Sequence, residues 1–254
     1  MTSQRALLRA EGYRLLAFAF RYPEETELRE LLAEESAEGE ESSAVPMGEA
    51  TTPGRIAAIL LPLVDGELAA EYNRLFAQSV AVSPHERAYT GGDLGPGLGQ
   101  LAALYEAFGL RSGGSEGEVP DHVGAELEFA AFLSLKEALH SEESTADAAE
   151  AVAIVRAVRK TFMQEHLGRW VMAFSDRLQD LSHHPYYVQL ARLLKEWVQA
   201  DFVEQDWELP RGGRHLPVIG PDLSPEVGDD SEHMTCPSAP REEESLPLSD
   251  LLHS

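Results

Sequence analysis

Apolar residues recur along most of this chain with the three- and four-residue spacing that places side chains on one face of a helix. The stripe over residues 190–198 is the clearest instance. No segment shows the sustained alternation of apolar and polar residues that is typical of a strand. The pattern predicts an all-α bundle, with helices over residues 7–20, 24–33, a segment starting at 53, 65–78, 100–110, 121–140, 151–162, 167–178 and 190–198.

Several segments interrupt this periodicity. Residues 34–52 are rich in Glu, Ser and Gly and predict a solvated loop, and the glycines within residues 91–99 predict irregular structure. A second glycine-rich break, near residues 111–119, is the predicted hinge. We therefore predict a single helical bundle domain over residues 1–207, followed by a disordered acidic, proline-rich tail over residues 208–254.

Charge narrows the range of partners. The chain has 44 acidic and 20 basic residues, hence a formal net charge of −24. This charge repels nucleic-acid phosphates and anionic lipid headgroups and favours a partner that carries positive charge. No apolar run approaches the ~20 residues of a membrane-spanning helix. The single cysteine, Cys236, fits a reducing compartment. We predict a soluble cytoplasmic protein with no nucleic-acid partner and no stable membrane insertion.

The segment around His122 offers candidate chemistry. His122 and Glu126 lie four residues apart and share one helix face, so they could begin a metal site, but no third ligand is evident. Asp121 is placed to cap the following helix, with His122 bonded to a neighbouring segment. A third interpretation puts Asp121 and His122 at the mouth of a groove, where they offer an acceptor and a switchable donor to a peptide. No complete catalytic set is present.

Tyr72, Leu75 and Phe76 form an apolar stripe on a predicted helix. Such a stripe is usually part of the core. A loop that contains proline and glycine follows it in place of another helix, which leaves part of the stripe uncovered and able to line an apolar groove.

Five motifs follow one another along the chain: Glu71, Tyr72, Leu75 and Phe76; Pro84, His85, Glu86 and Tyr89; Pro120, Asp121, His122, Glu126, Leu127 and Phe129; His166, Leu167 and Trp170; and Pro185, Tyr186 and Tyr187. In this order they resemble the TorD/DmsD/NarJ family of cytoplasmic chaperones that mature molybdenum-containing oxidoreductases, over roughly residues 5–203. The corresponding family features are a Glu-Tyr-x-x-Leu-Phe motif, a proline- and tyrosine-containing loop, a Pro-Asp-His hinge motif and two later segments. The sequence departs from the family at His85, where several members carry tryptophan, and at Arg87, where serine is common.

The resemblance implies a chaperone and not an enzyme. Its partner would be the apo form of a molybdenum-containing oxidoreductase, together with that enzyme's twin-arginine signal peptide. The chaperone would assist insertion of the molybdenum cofactor, handling it transiently and binding no cofactor permanently. The client-binding residues that the resemblance implies are Glu71, Tyr72, Leu75, Phe76, Pro84, His85, Glu86, Tyr89, Asp121 and His122.

Two kinds of contact are expected from these residues. The carboxylates of Glu71, Glu86 and Asp121 are expected to pair with the client's arginines, because carboxylate–guanidinium pairs can be bidentate. The apolar part of the client is expected to lie in a groove lined by Tyr72, Leu75, Phe76 and Tyr89.

Two alternatives remain open. The first is a NarJ-like assembly factor that binds the catalytic subunit of an enzyme complex without acting on an export signal. The second is a helical metal-dependent enzyme built around His122 and Glu126. The predicted hinge permits either a monomer or a domain-swapped dimer.

Overall fold

The predicted all-α class is confirmed by the computed structural model, which describes residues 3–41, 52–78, 80–91, 96–110 and 119–210. Those residues contain no strand, only an isolated antiparallel bridge between His85 and His122. Their α-helices are α1 (Ser3–Ala19), α2 (Glu25–Glu41), α3 (Pro53–Leu60), α4 (Leu68–Tyr72), α5 (Arg87–Thr90), α6 (Pro96–Ala107), α7 (Val123–Glu142), α8 (Ala146–Glu165), α9 (Leu167–Leu181) and α10 (Pro185–Glu204). A 3₁₀ turn (Leu61–Leu63) follows α3, and a π turn (Asn73–Ala77) follows α4.

All of the described residues belong to one compact unit that covers residues 1–218. The predicted hinge, up to residue 118, and the predicted tail beyond residue 210 lie outside the described residues. Within the part of the chain that is described, no helix combines the length and the apolar character needed to cross a membrane.

Two predicted irregular segments are partly helical. The loop predicted over residues 34–52 is wrong up to Glu41, where α2 ends, because this stretch is mostly glutamate, a good helix former. The prediction for residues 91–99 is wrong from Pro96 onward, where α6 begins. Proline suits the first turn of a helix, and the burial of Leu101 and Tyr105 favours helix formation despite the glycines.

Helix α1 is central to the packing. It runs antiparallel to α7, since Arg9 pairs with Glu137 while Arg21, near the other end of α1, pairs with Glu128. It also approaches α10 closely at Gly12, where a Cβ atom would lie only 1.9 Å from a ring carbon of Trp197. The absence of a side chain at this position therefore sets the distance between α1 and α10.

Four helices meet at a fully buried ionic network. Arg9 of α1 donates to Glu137 of α7 at 2.8 Å, and its other terminal nitrogen lies 3.7 Å from Asp201 of α10. Arg159 of α8 donates to both Asp201 oxygens, and the Tyr13 hydroxyl donates to one of them at 2.7 Å. Removing one partner from such a network leaves uncompensated charge in a low dielectric.

We expect Asp201→Asn to lower the free energy of unfolding by about 3–5 kcal/mol, because two buried guanidiniums would then face the single carboxylate of Glu137. Urea unfolding followed by circular dichroism measures this. Asp176→Asn is the matched control: Asp176 pairs with Lys195 at the surface, where an ion pair contributes about 0–1 kcal/mol. Equal losses in the two variants would contradict the importance of the network.

Val80 lies in a strained turn between the π turn and α5. Its φ of 41° is in the left-handed region that β-branched residues rarely adopt, and its exposed fraction of 44% means that burial does not compensate. The turn is held by a hydrogen bond from the Val82 amide to the Leu75 carbonyl at 3.0 Å, and by Arg177, which donates to the Ala81 carbonyl at 3.1 Å.

We expect Val80→Gly to stabilise the protein by about 1 kcal/mol. The steric cost of valine in this backbone conformation is larger than the extra conformational entropy that glycine loses on folding. The measurement is the shift in Tm. Val203→Gly provides the comparison, since Val203 is also exposed but has helical backbone, and there we expect an unchanged or lower Tm. A fall in Tm for Val80→Gly would show that the turn is not strained.

Candidate functional site

Glu71, the first residue of the Glu-Tyr-x-x-Leu-Phe motif, has partners inside the protein. It accepts two hydrogen bonds from Arg74, at 2.7 and 2.8 Å, and one each from the His183 amide at 2.6 Å and the Ser182 hydroxyl at 3.1 Å. The hydrogen bonds from Arg74 are the main reason that its pKa falls to about 2. Glu71 thus joins α4 to the connection between α9 and α10, and it has internal partners in place of the expected client arginine.

The aromatic residues of the same motif, Tyr72 and Phe76, lie in a row with Tyr22 that reaches the surface, and we call these three residues the aromatic row. Ring centroids are 5.3 Å apart between Tyr22 and Tyr72, and 5.2 Å apart between Tyr72 and Phe76. Tyr22 is half-exposed, whereas Tyr72 and Phe76 are partly buried. At its inner end Phe76 contacts Tyr187 of α10, with the ring centroids 5.7 Å apart. Sequence reasoning missed Tyr22, whose position before a proline indicated only the end of a helix.

Two of the predicted groove residues belong to the core instead. Leu75 is fully buried. Tyr89 is also buried, because its ring stacks on Trp170 at 5.4 Å and its hydroxyl donates to the Ser83 carbonyl at 3.0 Å. The prediction that Leu75 and Tyr89 line an open groove is therefore wrong, since α9 covers the ring that was expected to face a client.

A small cleft lies beside Tyr22 where α1 ends and α2 begins. Its lining residues are Phe18, Arg21, Tyr22, Pro23, Glu24, Glu27 and Leu28. Arg21 pairs with Glu128 at 2.6 Å. Glu24 and Glu27 are exposed, and neither forms an ion pair with any residue that the structure describes. The cleft therefore combines apolar walls with two carboxylates that remain available to a cation.

The other predicted residues meet where the segment before α5 crosses the start of α7, which we call the histidine junction: Pro84, His85, Glu86, Arg87, Asp121 and His122. Backbone hydrogen bonds hold the two segments together, from the Glu86 amide to the Asp121 carbonyl at 3.0 Å and from the Val123 amide to the Pro84 carbonyl at 2.8 Å. The fold therefore brings together two groups of predicted site residues that lie more than 30 positions apart in the chain.

Asp121 is a buried anchor of the histidine junction. Its carboxylate lies 3.1 Å from His85 Nδ1 and accepts hydrogen bonds from the side chain and the backbone amide of Arg87, at 3.3 and 3.4 Å. Burial alone would raise the pKa of Asp121, but the hydrogen bond from His85 and the charge of Arg87 outweigh it, so that the pKa is lowered. Like Glu71, Asp121 already has cationic or donor partners within the protein.

The predicted role of Asp121 as the cap of α7 is wrong by one residue. His122 is the cap, because its Nδ1 accepts a hydrogen bond from the Gly124 amide at 3.1 Å. Side-chain acceptors of this kind satisfy amides that have no partner within the first helical turn. A histidine is not among the residues usually found at this position, and no local pattern indicates one as the cap.

Two more carboxyl groups are buried here: that of Glu86, a member of the histidine junction, and that of Glu126. Glu86 pairs with His166 Nδ1 at 3.2 Å, and Glu126 accepts a hydrogen bond from the Trp170 indole at 3.0 Å. Burial, reinforced by the charge of Glu86, raises the pKa of Glu126 well above its ordinary value, which favours the protonated form.

This chemistry argues against a metal site at His122 and Glu126. A carboxyl whose burial favours the protonated form is a poor metal ligand, and His122 uses Nδ1 as a helix cap. In the described part of the chain, no group of three or more His, Cys, Asp or Glu side chains is arranged to hold a metal ion. These contacts do not favour the metal-site interpretation of His122 and Glu126.

The aromatic row and the histidine junction share one neighbour in the core. The ring of Phe174 on α9 lies 6.5 Å from Phe76 and 6.1 Å from Tyr89, measured between centroids. Helix α9 thus supports both parts of the predicted site. The arrangement presents an aromatic surface, two exposed carboxylates and a pair of imidazole rings, a set of groups that suits peptide binding.

Comparison with known proteins gives matches to assembly chaperones. The selenate reductase assembly chaperone protein of Thauera selenatis is 34% identical over 103 residues, which is 41% of this chain and 50% of that protein. The chlorate reductase assembly chaperone protein of Ideonella dechloratans is 33% identical over 102 residues, 40% of this chain and 49% of that protein. The chaperone protein TorD of Vibrio cholerae is 28% identical over 139 residues, 53% of this chain and 60% of that protein.

These matches span between about half and three fifths of the length of the relatives. The family described as nitrate reductase delta subunit matches residues 49–176, half of this chain, and that range contains the Glu-Tyr-x-x-Leu-Phe motif and the histidine junction. The predicted family is confirmed: the chain belongs to the nitrate reductase delta subunit family, the TorD/NarJ type of redox enzyme maturation protein.

Proposed function

We propose that this protein is a chaperone for the catalytic subunit of a molybdenum-containing oxidoreductase. The observation that carries the proposal is its similarity to proteins named as assembly chaperones of selenate and chlorate reductases and as TorD. The chaperone binds the apo form of its client in the cytoplasm and keeps it available for insertion of the molybdenum cofactor. The cofactor belongs to the client and is handled only during this transfer.

The aromatic row is proposed as the surface that binds the client's apolar segment. Tyr22 is half-exposed and stands next to Tyr72 and Phe76, so a bound apolar chain would remove aromatic surface from water on several adjacent rings. Burial of apolar surface contributes roughly 25 cal/mol per Å². A twin-arginine signal peptide has such an apolar segment directly after its basic start.

The cleft beside Tyr22 is proposed to receive the basic part of the client. Glu24 and Glu27 are exposed there and have no ion-pair partner among the described residues. The carboxylates first expected in this role, Glu71, Glu86 and Asp121, are held by internal hydrogen bonds and ion pairs. The net charge of −24 adds a long-range attraction that speeds encounter with a basic segment.

An assembly factor that binds the catalytic subunit without its leader is the second candidate. Its support is the name of the matching family, nitrate reductase delta subunit, and the word assembly in the names of two relatives. The same aromatic row would then bind an apolar segment of the mature subunit. The two candidates differ only in the segment that is bound.

The direct test of the peptide-binding surface uses a synthetic peptide with two adjacent arginines followed by an alanine- and leucine-rich run. We expect Tyr22→Ala to weaken binding of this peptide roughly tenfold, because burial of an aromatic side chain contributes about 1.5–3 kcal/mol when complete and Tyr22 is the exposed end of the row. Fluorescence anisotropy of a labelled peptide measures the Kd.

Leu139→Ala is the matched control, since Leu139 is also about half-exposed but lies on α7, 11 residues beyond the Glu128 that pairs with Arg21. We expect its Kd to stay within a factor of two of the wild-type value. Equal losses of affinity in the two variants would contradict the assignment of the aromatic row.

Affinity capture of the full-length protein from its own cells, followed by mass spectrometry, tests the choice of client. We expect a molybdoenzyme catalytic subunit to be recovered, at low salt more than at high salt, because salt screens the attraction to an acidic protein. A recovered subunit with its twin-arginine leader intact supports the first candidate, and one without a leader supports the second. Recovery of no oxidoreductase subunit would contradict both.

A further inference from the structure

The proton on the His122 ring has a defined position. Its Nδ1 accepts the hydrogen bond from the Gly124 amide at 3.1 Å, so this nitrogen carries no proton. Burial and the neighbouring His85 lower the pKa of His122 to about 4, so the ring is neutral at neutral pH. A neutral imidazole carries one proton, which must therefore be on Nε2. His122 presents a hydrogen-bond donor at this atom.

His85 has the opposite arrangement. Its Nδ1 faces the Asp121 carboxylate at 3.1 Å, and that carboxylate is already held in its ionised form by Arg87. An ionised carboxylate only accepts hydrogen bonds, so Nδ1 of His85 must donate. When this ring is neutral, Nε2 therefore carries no proton and is a hydrogen-bond acceptor.

The two rings lie next to each other, and both are partly open to solvent. Their centroids are 5.4 Å apart at an interplanar angle of 74°, and the exposed fraction of the His85 side chain is 23%. Neither Nε2 atom has a hydrogen-bond partner among the residues that the structure describes. The Asp121 carboxylate and the Glu86 carboxylate beside them are occupied by internal partners.

We propose that His85 and His122 together bind the main chain of one client residue in an extended conformation. The N–H and C=O groups of such a residue point to the same side of the chain, as they do in a hydrogen-bonded pair of a β-ladder. His122 Nε2–H donates to the carbonyl, and His85 Nε2 accepts from the amide. This inference rests on the proposed function and adds to it a contact that does not depend on the client's side chains.

The chemistry of the site selects this class of ligand. A metal cation would meet the N–H of His122, and an anion would meet the lone pair of His85 with the Asp121 and Glu86 carboxylates behind it. A peptide main chain is neutral and offers one donor and one acceptor, which matches the two ring nitrogens. Tryptophan, which several members of the family carry at the position of His85, supplies no acceptor, so this feature requires a histidine there.

The first test is the tautomeric state of the two rings in the full-length protein. Long-range ¹H–¹⁵N spectra of ¹⁵N-histidine-labelled protein at neutral pH distinguish protonated from unprotonated ring nitrogens. We expect one ring with its unprotonated nitrogen at Nδ1, which disappears in His122→Ser, and one with its unprotonated nitrogen at Nε2, which disappears in His85→Phe. The same tautomer for both rings, or two doubly protonated rings, would overturn the proposal.

The second test uses the double-arginine peptide and a series of ester analogues, each with one backbone N–H replaced by oxygen. We expect one analogue to bind the wild-type protein roughly three- to tenfold more weakly, the effect of one net hydrogen bond. On the His85→Phe variant, the same ester analogue and the parent peptide should bind with equal affinity, because the acceptor is already missing. On the Leu139→Ala variant, the ester should still bind more weakly than the parent peptide.

His122→Ser removes the donor, while the serine hydroxyl can keep the helix cap, so circular dichroism should show unchanged helicity. We expect this variant to lose three- to tenfold in affinity for the parent peptide. If the parent peptide binds but every ester and both histidine variants bind as the wild type does, the inference fails and the proposed function stands. If the parent peptide does not bind at all, the peptide-binding function and the inference both fail.

Discussion

The helical bundle depends on the interactions of one buried carboxylate, that of Asp201. It is fully buried on α10, and it is stabilised there only because Arg159, Arg9 and Tyr13 converge on it from α8 and α1. Such a network is favourable when every member is in place and costly when one moves, so it fixes the relative positions of its helices. Tyr22 follows the end of α1 by three residues, in the connection to α2. The exposed end of the aromatic row therefore lies beside the end of a helix whose position the network fixes.

The family motifs act mainly inside the protein. Glu71 accepts hydrogen bonds from Arg74 and from the connection between α9 and α10, and Asp121 pairs with His85 and Arg87. A carboxylate with several charge-assisted hydrogen bonds gains little from a further arginine, because its lone pairs are already in use. The motifs therefore place the residues that can meet a client, namely Tyr72, Phe76 and the two histidine rings, without their acids making that contact.

Helical periodicity predicted the all-α class and most elements, because burial of an apolar face determines both the pattern and the fold. Helical periodicity could not predict that Leu75 is fully buried while Phe76 is only partly buried. Both belong to one stripe, and their exposure differs only through packing against α9 and α10. It placed the α7 cap on Asp121, the residue type usual there, although that carboxylate turns toward His85 and Arg87. The exposure of Tyr22 and the burial of the acids depend on contacts between residues distant in the chain, which no local pattern encodes.

Charge, aromatic surface and imidazole groups contribute differently to the proposed recognition. An exposed ion pair with Glu24 or Glu27 is worth at most about 1 kcal/mol, so it contributes orientation more than affinity. Long-range attraction from the net charge of −24 raises the encounter rate and weakens with salt. Affinity must then come from apolar burial on the aromatic row, a term that tolerates many apolar sequences. A main-chain contact at His85 and His122 would add a fixed register to a surface that otherwise lets an apolar segment slide, and a chaperone that holds one client in a defined position requires such a constraint.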